Sequence, residues 1–140
     1  MPNHWIDPSQ CQSLAVLVES VTAPLLIEHE AAICLELDID TSFGVPADSE
    51  RMVDLLQALV NQALAEMPEG GDLTITACET AQGLELELAD TGCDIENRLP
   101  STPIAAAAMG LELVWQNCPQ GGVAVTLTFH RQSGTGRLAA

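Results

Sequence analysis

The residue whose type and position most clearly suggest chemistry is Asp90. It follows residues 84–88, where leucine and glutamate alternate, and Thr91 and Gly92 come directly after it. Because strict alternation predicts a half-buried strand, we expect the carboxylate where that strand leaves the sheet, at the mouth of a cleft. There it could simply end the strand. It could also accept a hydrogen bond from an amine of a ligand, a contact worth about 1.5–3 kcal/mol for a charged group.

The cysteines offer no comparable chemistry. They stand at positions 11, 34, 78, 93 and 118, so no two are closer than 15 residues. This spacing excludes Cys-x-x-Cys redox motifs and paired zinc ligands, and an odd number does not suit a disulfide framework. The pattern favours a reducing cytoplasm, and we predict neither a metal site nor a catalytic residue.

Composition limits the partners of the chain. Of 140 residues, 20 are Asp or Glu and four are arginine, with no lysine, which gives a net charge of −16. This balance excludes nucleic-acid binding, because that affinity comes from cations that neutralise phosphates. No apolar run approaches the roughly 18 residues of a membrane span, and no signal peptide is visible. We therefore expect one cytoplasmic domain without membrane contact.

Hydrophobic periodicity predicts the elements that position Asp90. Three helices are predicted, over residues 9–30, 49–66 and 105–117. The second has an apolar stripe at helical spacing, expected to face the core: Met52, Leu55, Leu56, Leu59, Val60 and Ala63. Four strands are predicted, over residues 33–39, 73–77, 84–88 and 123–129, with the middle two joined as a hairpin. Since each strand has one apolar and one polar face, a single layer of helices can cover the sheet. The predicted fold is an α/β two-layer sandwich: a mixed, mostly antiparallel sheet with three helices on one face. It fills residues 1–132, and residues 133–140 are expected to be a disordered tail.

Five short segments of the chain form an ordered series of motifs. Residues 45–48 read Val-Pro-Ala-Asp, residues 59–63 read Leu-Val-Asn-Gln-Ala, and residues 68–75 carry a Gly-Gly turn into a strand. Residues 90–95 read Asp-Thr-Gly-Cys-Asp-Ile, and residues 110–114 read Gly-Leu-Glu-Leu-Val. In this order they resemble the boxes of the ATP-binding catalytic domain of sensor histidine kinases, the Bergerat or GHKL type of histidine-kinase-like ATPase. The resemblance covers about residues 10 to 130.

The resemblance implies a site as well as a fold. Members of that family bind ATP with Mg²⁺, and Asp90 matches the carboxylate that accepts a hydrogen bond from the adenine amino group. Gly92 and Gly110 match glycines of the two later boxes. Gln62 matches the asparagine that holds Mg²⁺, and Asn61 does so if the helix is rotated by one residue. These five residues are the predicted cofactor-binding set, and Asp90→Asn is expected to weaken adenine nucleotides without affecting folding.

The sequence also departs from the family pattern, mainly on the phosphate side. Gln62 replaces the asparagine, and Ala65 stands where members often carry a basic residue. Asp94 and Glu112 replace the second glycine of their boxes, and Glu112 is expected in the first turn of a helix that opens at Gly110. The lid, residues 96–109, is short and has no phenylalanine. Weak or absent ATP binding is therefore expected.

The predicted function is that of a degenerate ATP-binding, catalytic-type domain of a two-component sensor histidine kinase. None of the three histidines, His4, His29 and His130, lies in a long dimerisation helix, so we expect no phosphoacceptor and no autophosphorylation. Whether the chain is an enzyme is left open. One alternative is a pseudo-ATPase module that docks a phosphorelay partner, such as a kinase dimerisation domain or a response regulator. Others are an anti-sigma-factor-type serine kinase and a plain α/β domain with coincidental boxes. We expect any partner to be basic where it meets Glu85 and Glu87.

Overall fold

The two long helices begin at polar caps. The structure, a computed structural model, describes residues 12–99 and 101–130. Helix α1 spans Leu14–Glu28 and helix α2 spans Ser49–Ala65. The side chains of Ser13 and Asp48 each accept a hydrogen bond from the backbone N–H three residues on, a contribution of about 0.5–2 kcal/mol per cap. Of the two caps that the sequence offers for α2, Asp48 and Ser49, the structure uses Asp48. Helix α1 begins later than the predicted residue 9, because Ser13 caps it.

Within the described residues, five strands form a single sheet. They are β1 (Ile33–Asp38), β2 (Gly71–Glu79), β3 (Gly83–Asp90), β4 (Leu113–Asn117) and β5 (Val123–His130). Their order is β1-β2-β3-β5-β4, with β1 parallel to β2 and the other neighbours antiparallel. This arrangement confirms the predicted fold class and the predicted hairpin of β2 and β3.

The core lies between the helices and the apolar face of the sheet. All six residues of the predicted α2 stripe are buried: Met52, Leu55, Leu56, Leu59, Val60 and Ala63. They pack with alternate residues of the sheet, including Leu73, Ile75, Leu86, Leu88 and Leu127. Each large side chain buried in this way contributes about 1.5–3 kcal/mol. Among the described side chains of the opposite face, all but that of Ala124 are half-buried or exposed.

The prediction of a third helix over residues 105–117 is wrong. Only Ile104–Ala108 forms a helix, α3, and residues 113–117 form strand β4. Gly110 has a φ of +69°, and the amides of Gly110 and Leu111 donate to the carbonyls of residues 107 and 106, at 3.1 and 3.0 Å. These are the contacts of a Schellman motif, which ends a helix. Valine and tryptophan favour a strand after it, and the glycines at 121 and 122 then turn β4 into β5.

A 3-10 helix, Ile95–Asn97, precedes α3 in the connection between β3 and β4. Among residues 12–99 and 101–130, no helix is both long enough and apolar enough to cross a membrane. The predicted tail, residues 133–140, and His4 lie outside the described residues.

Candidate functional site

Asp90 is the last residue of β3 and is buried, with 6% of its surface exposed. Its carboxylate accepts hydrogen bonds from both terminal nitrogens of Arg98, Nη1 to Oδ2 at 3.1 Å and Nη2 to Oδ1 at 3.0 Å. The backbone N–H groups of Gly92 and Val123 also donate to Oδ1, at 2.9 and 3.4 Å. The chain therefore supplies three donors to Oδ1 and one to Oδ2, close to the four that a carboxylate accepts.

The guanidinium of Arg98 is as deeply buried as its partner, with 5% of its side chain exposed. Its Nε and Nη2 also donate to the carbonyl oxygen of Cys93, Nε at 3.1 Å, and Nε lies 4.0 Å from Oε1 of Glu66. Burial lowers the pKa of Arg98, but the hydrogen bond to Asp90 and its charge outweigh burial, so the pKa is raised overall. Arg98 therefore stays charged, in the two-pronged geometry that arginine suits better than lysine.

Glu66 and Cys93 complete what we call the Arg98 cluster: Asp90, Arg98, Glu66 and Cys93. Glu66 is the C-cap residue of α2, so the cluster ties the end of that helix to the end of β3. The thiol of Cys93 donates to Oε1 of Glu66 at 3.0 Å. This hydrogen bond, aided by desolvation and the charge of Glu66, raises the pKa of the thiol. Cys93 is therefore protonated near neutral pH and is a poor nucleophile.

Two glycines let the backbone pack tightly around the cluster. A Cβ at Gly92 would lie 2.5 Å from the carbonyl oxygen of Glu66 and 3.1 Å from Nη2 of Arg98. Gly122 has a φ of +90°, and a Cβ there would overlap the carbonyl of Asp90. Both positions thus require glycine, and the space that these glycines leave is filled by the chain itself.

A cavity of about 220 Å³ adjoins the cluster. It is lined by Gln62, Ala65, Glu66, Arg98, Leu99, Ser101 and Trp115. Nε2 of Gln62 donates to the carbonyl oxygen and the hydroxyl of Ser101, at 3.0 and 3.2 Å. Oε1 of Gln62 is buried and has no hydrogen-bond partner among the described residues. The cavity therefore brings Gln62 next to the Arg98 cluster.

No family model and no curated protein matches the chain, but solved structures do. The mycobacterial sensor histidine kinase MprB aligns with a TM-score of 0.65 at 15% identity, over 82% of this chain and 92% of that one. The catalytic domain of histidine kinase ThkA gives 0.63 at 17% identity, over 83% and 92%. The chain has the fold of a histidine kinase catalytic domain. The blue-light-activated histidine kinase EL346 of Erythrobacter litoralis gives 0.67 at 17% identity, over 88% of this chain and 43% of that longer one.

On this histidine kinase fold, the five predicted cofactor-binding residues do not converge. Asp90, Gly92 and Gln62 lie at the Arg98 cluster or its cavity. Asn61 is exposed and lines a different depression, between α2 and the end of α1. Gly110 lines a separate cavity of about 390 Å³ beside Phe129. Their nucleotide contacts stay predictions.

The expectation that Gly110 opens a helix is wrong, because its Schellman motif closes α3 instead. A histidine kinase fold that lacks this helix also lacks the N-terminal amides and the positive dipole end that would hold an anion. Glu112, expected in the first turn of that helix, is an exposed residue between α3 and β4.

Sequence reasoning missed Arg98 and took the site to have no cation. One signal was available. Arg98 is the only arginine between Arg51 and Arg131, and it follows Asp90 by eight positions in a chain with four arginines and no lysine. In a chain with so few cations, an arginine this close in sequence to Asp90 indicates an ion pair between the two side chains.

The groups expected to contact Mg²⁺-ATP are largely engaged within the chain. The carboxylate that would read adenine accepts three hydrogen bonds at Oδ1 and one at Oδ2. The amide nitrogen of Gln62 is bonded to Ser101, whereas its Oε1, the atom that could face a cation, has no partner among the described residues. In the described ranges, no three His, Cys, Asp or Glu side chains are grouped so that they could hold a metal ion. No step that passes through ATP or Mg²⁺ follows from this arrangement.

Proposed function

We propose that this chain is a degenerate ATPase-type domain of a two-component histidine kinase system, and that it acts by docking a signalling partner and not by transferring phosphate. The observation that carries the proposal is the replacement of the helix after Gly110 by strand β4. The resemblance assigns phosphate binding to that helix. Without it the fold keeps its core and its surfaces but loses the element that would hold a triphosphate.

Charge on the phosphate side supports the same proposal. Asp94 and Glu112 are both exposed there, and Ala65 stands where a basic residue would face the phosphates. Each carboxylate that lies near a triphosphate repels it by about 1–4 kcal/mol at contact distances in water or near a protein surface. The cation of the site, Arg98, is engaged by Asp90.

The face of the sheet opposite the helices supplies a surface for a basic partner. Glu85 and Glu87 of β3 project from it, since they are paired in register with Thr128 and Thr126 of β5 and alternate with the buried Leu86. Glu36 of β1 lies on the same face, exposed. None of these carboxylates forms an ion pair with another described residue. Such a surface attracts a cationic partner at long range, and a kinase dimerisation domain or a response regulator is the class of partner we propose.

The nucleotide part of the proposal is tested by following thermal unfolding while ATP is added, with and without Mg²⁺. A ligand at 100 times its dissociation constant stabilises a protein by about 2.7 kcal/mol. We expect no shift in Tm at millimolar ATP and no labelled protein after incubation with γ-labelled ATP. A magnesium-dependent shift would contradict the proposal, and label on a serine of an added partner would favour the anti-sigma-factor-type kinase.

The docking part is tested by measuring association with isolated dimerisation and receiver domains from the same genome, at low and at high salt. Glu85→Gln with Glu87→Gln should slow association at least several-fold, because electrostatic steering depends on these charges. The control is Glu19→Gln with Glu50→Gln, which removes the same charge from exposed helical positions. Equal slowing by both pairs, or an association rate that salt does not change, would refute the proposed surface.

A further inference from the structure

We propose that Arg98 is a built-in occupant of the purine-reading position: it closes Asp90, and displacement of its guanidinium opens a site for the amino edge of adenine. The inference rests on the role that the resemblance gives to Asp90 and extends the proposed function to the regulation of that site. The pairing partner, Arg98, lies outside every segment that carries the resemblance.

The geometry sets the two ligands in competition. An exocyclic amine would have to reach the carboxylate edge of Asp90 that Arg98 already occupies, where both oxygens accept from the guanidinium, at 3.1 and 3.0 Å. The guanidinium presents two parallel N–H donors to one carboxylate edge, where a purine would present one amino group. Because the guanidinium is itself charged and makes two hydrogen bonds to the carboxylate where adenine would make one, adenine does not displace Arg98 unaided.

The surroundings of Arg98 favour displacement of its guanidinium from Asp90. Arg98 is fixed by its side chain, but the next residue, Leu99, is 96% exposed. Leu99 therefore adds no apolar packing that would hold Arg98 in place. The cavity of about 220 Å³ lies against Arg98, with Trp115 and Gln62 on its wall. Removal of the guanidinium would join this space to the carboxylate of Asp90.

The test uses adenosine, an uncharged probe that avoids the repulsion between phosphates and the acidic surface. Trp115 lines the cavity, so its fluorescence reports binding when Trp5, the other tryptophan, is replaced by phenylalanine. In this background we compare the otherwise unchanged chain with Arg98→Gln. The matched control is Arg51→Gln, which removes the same charge from an exposed residue whose side chain bonds only the carbonyl of Ala108 among described groups.

We expect Arg98→Gln to bind adenosine at least tenfold more tightly than the parent and the Arg51→Gln control, and more tightly than it binds guanosine. The apparent affinity falls in proportion to the fraction of molecules whose site is open, so a factor of ten corresponds to a parent open at most one tenth of the time. Equal adenosine affinity in parent and Arg98→Gln, or no binding by a folded Arg98→Gln, would overturn the proposal.

Should Arg98→Gln fail to fold, Arg98→Lys decides the question by the same measurement. Lysine keeps a positive charge beside Asp90 but cannot pair with both oxygens in a fixed fork, so a smaller gain in adenosine affinity is expected, and no gain overturns the proposal. The proposed docking function fails by different results, namely Mg²⁺-ATP binding or phosphate transfer by the unchanged chain. The two failures are therefore distinguishable.

Discussion

Substitution of Asp90 by asparagine tests whether the buried pair with Arg98 exists in solution. Asparagine keeps an oxygen that can accept the N–H of Gly92, now 2.9 Å from Oδ1. It loses the negative charge and the second acceptor. The guanidinium of Arg98, 5% exposed, would then have Glu66, 4.0 Å away, as its remaining ion-pair partner among described residues.

Removing one partner of a buried ion pair costs about 3–5 kcal/mol. Because Glu66 still offsets part of the charge, we expect the lower end, about 3 kcal/mol of unfolding free energy. Domains of this size have about 5–15 kcal/mol in total and lose roughly 3–5 °C of Tm per kcal/mol. Asp90→Asn should therefore remain folded at 25 °C but melt about 10 °C lower. This revises the expectation from sequence that the substitution would weaken nucleotide binding and leave folding unchanged.

The assay is urea unfolding followed by circular dichroism, with an unchanged slope as the check on two-state behaviour. The single variants Asp90→Asn and Arg98→Gln and their double variant form a cycle, and we expect a coupling energy above about 1.5 kcal/mol. Asp38→Asn, on the exposed face of β1, should cost less than about 0.5 kcal/mol. A loss below 1 kcal/mol for Asp90→Asn, with additive single variants, would refute the reasoning.

Three further predictions follow from contacts already described. His29 should stay unlabelled by γ-labelled ATP, since its Nε2 is 2.9 Å from the carbonyl oxygen of Met67 and serves the fold; acid-labile label on it would contradict this. The pKa of the Cys93 thiol is raised, first by its hydrogen bond to Glu66, from an ordinary 9.0. The folded state therefore holds this proton longer than the unfolded state, and its contribution to stability, complete below pH 9, should be lost as pH rises through the raised pKa. Urea midpoints from pH 8 to 11 measure this loss, which Cys93→Ala should reduce. Gly122→Ala should cost more than about 2 kcal/mol, because its φ is positive and its Cβ would overlap Asp90; a thermal midpoint within 3 °C of the parent would show that the turn can relax.

Much of the fold could be predicted from the sequence because its elements repeat with clean periods. The stripe of α2 from Met52 to Ala63 and the alternation of residues 84–88 follow the periods of a helix and a strand, and both predictions are confirmed. The prediction for residues 105–117 failed because periodicity alone does not distinguish a short helix followed by an edge strand from one longer helix. The sign of φ at Gly110 decides between them, and a glycine permits both.

The site was harder to predict for a different reason. Asp90 and Gly92 stand next to each other in sequence, so a local motif could indicate them. Arg98 and Glu66 reach the same place from different elements, 32 residues apart in the chain. Sequence spacing carries no information about such a meeting, since it depends on where α2 ends relative to β3.

The strand that replaces the expected helix has a consequence for how the protein behaves in concentrated solution. It leaves β4 as an edge of the sheet, uncharged from residue 113 to residue 117 and with Val114 53% exposed, whereas the other edge, β1, carries Glu36 and Asp38. Open, uncharged edges pair with one another unless something keeps molecules apart, and here the mutual repulsion of the acidic surface does so. That repulsion vanishes near the isoelectric point of about 4.1. Light scattering during acid titration should therefore rise near this pH, and Val114→Lys should reduce the rise.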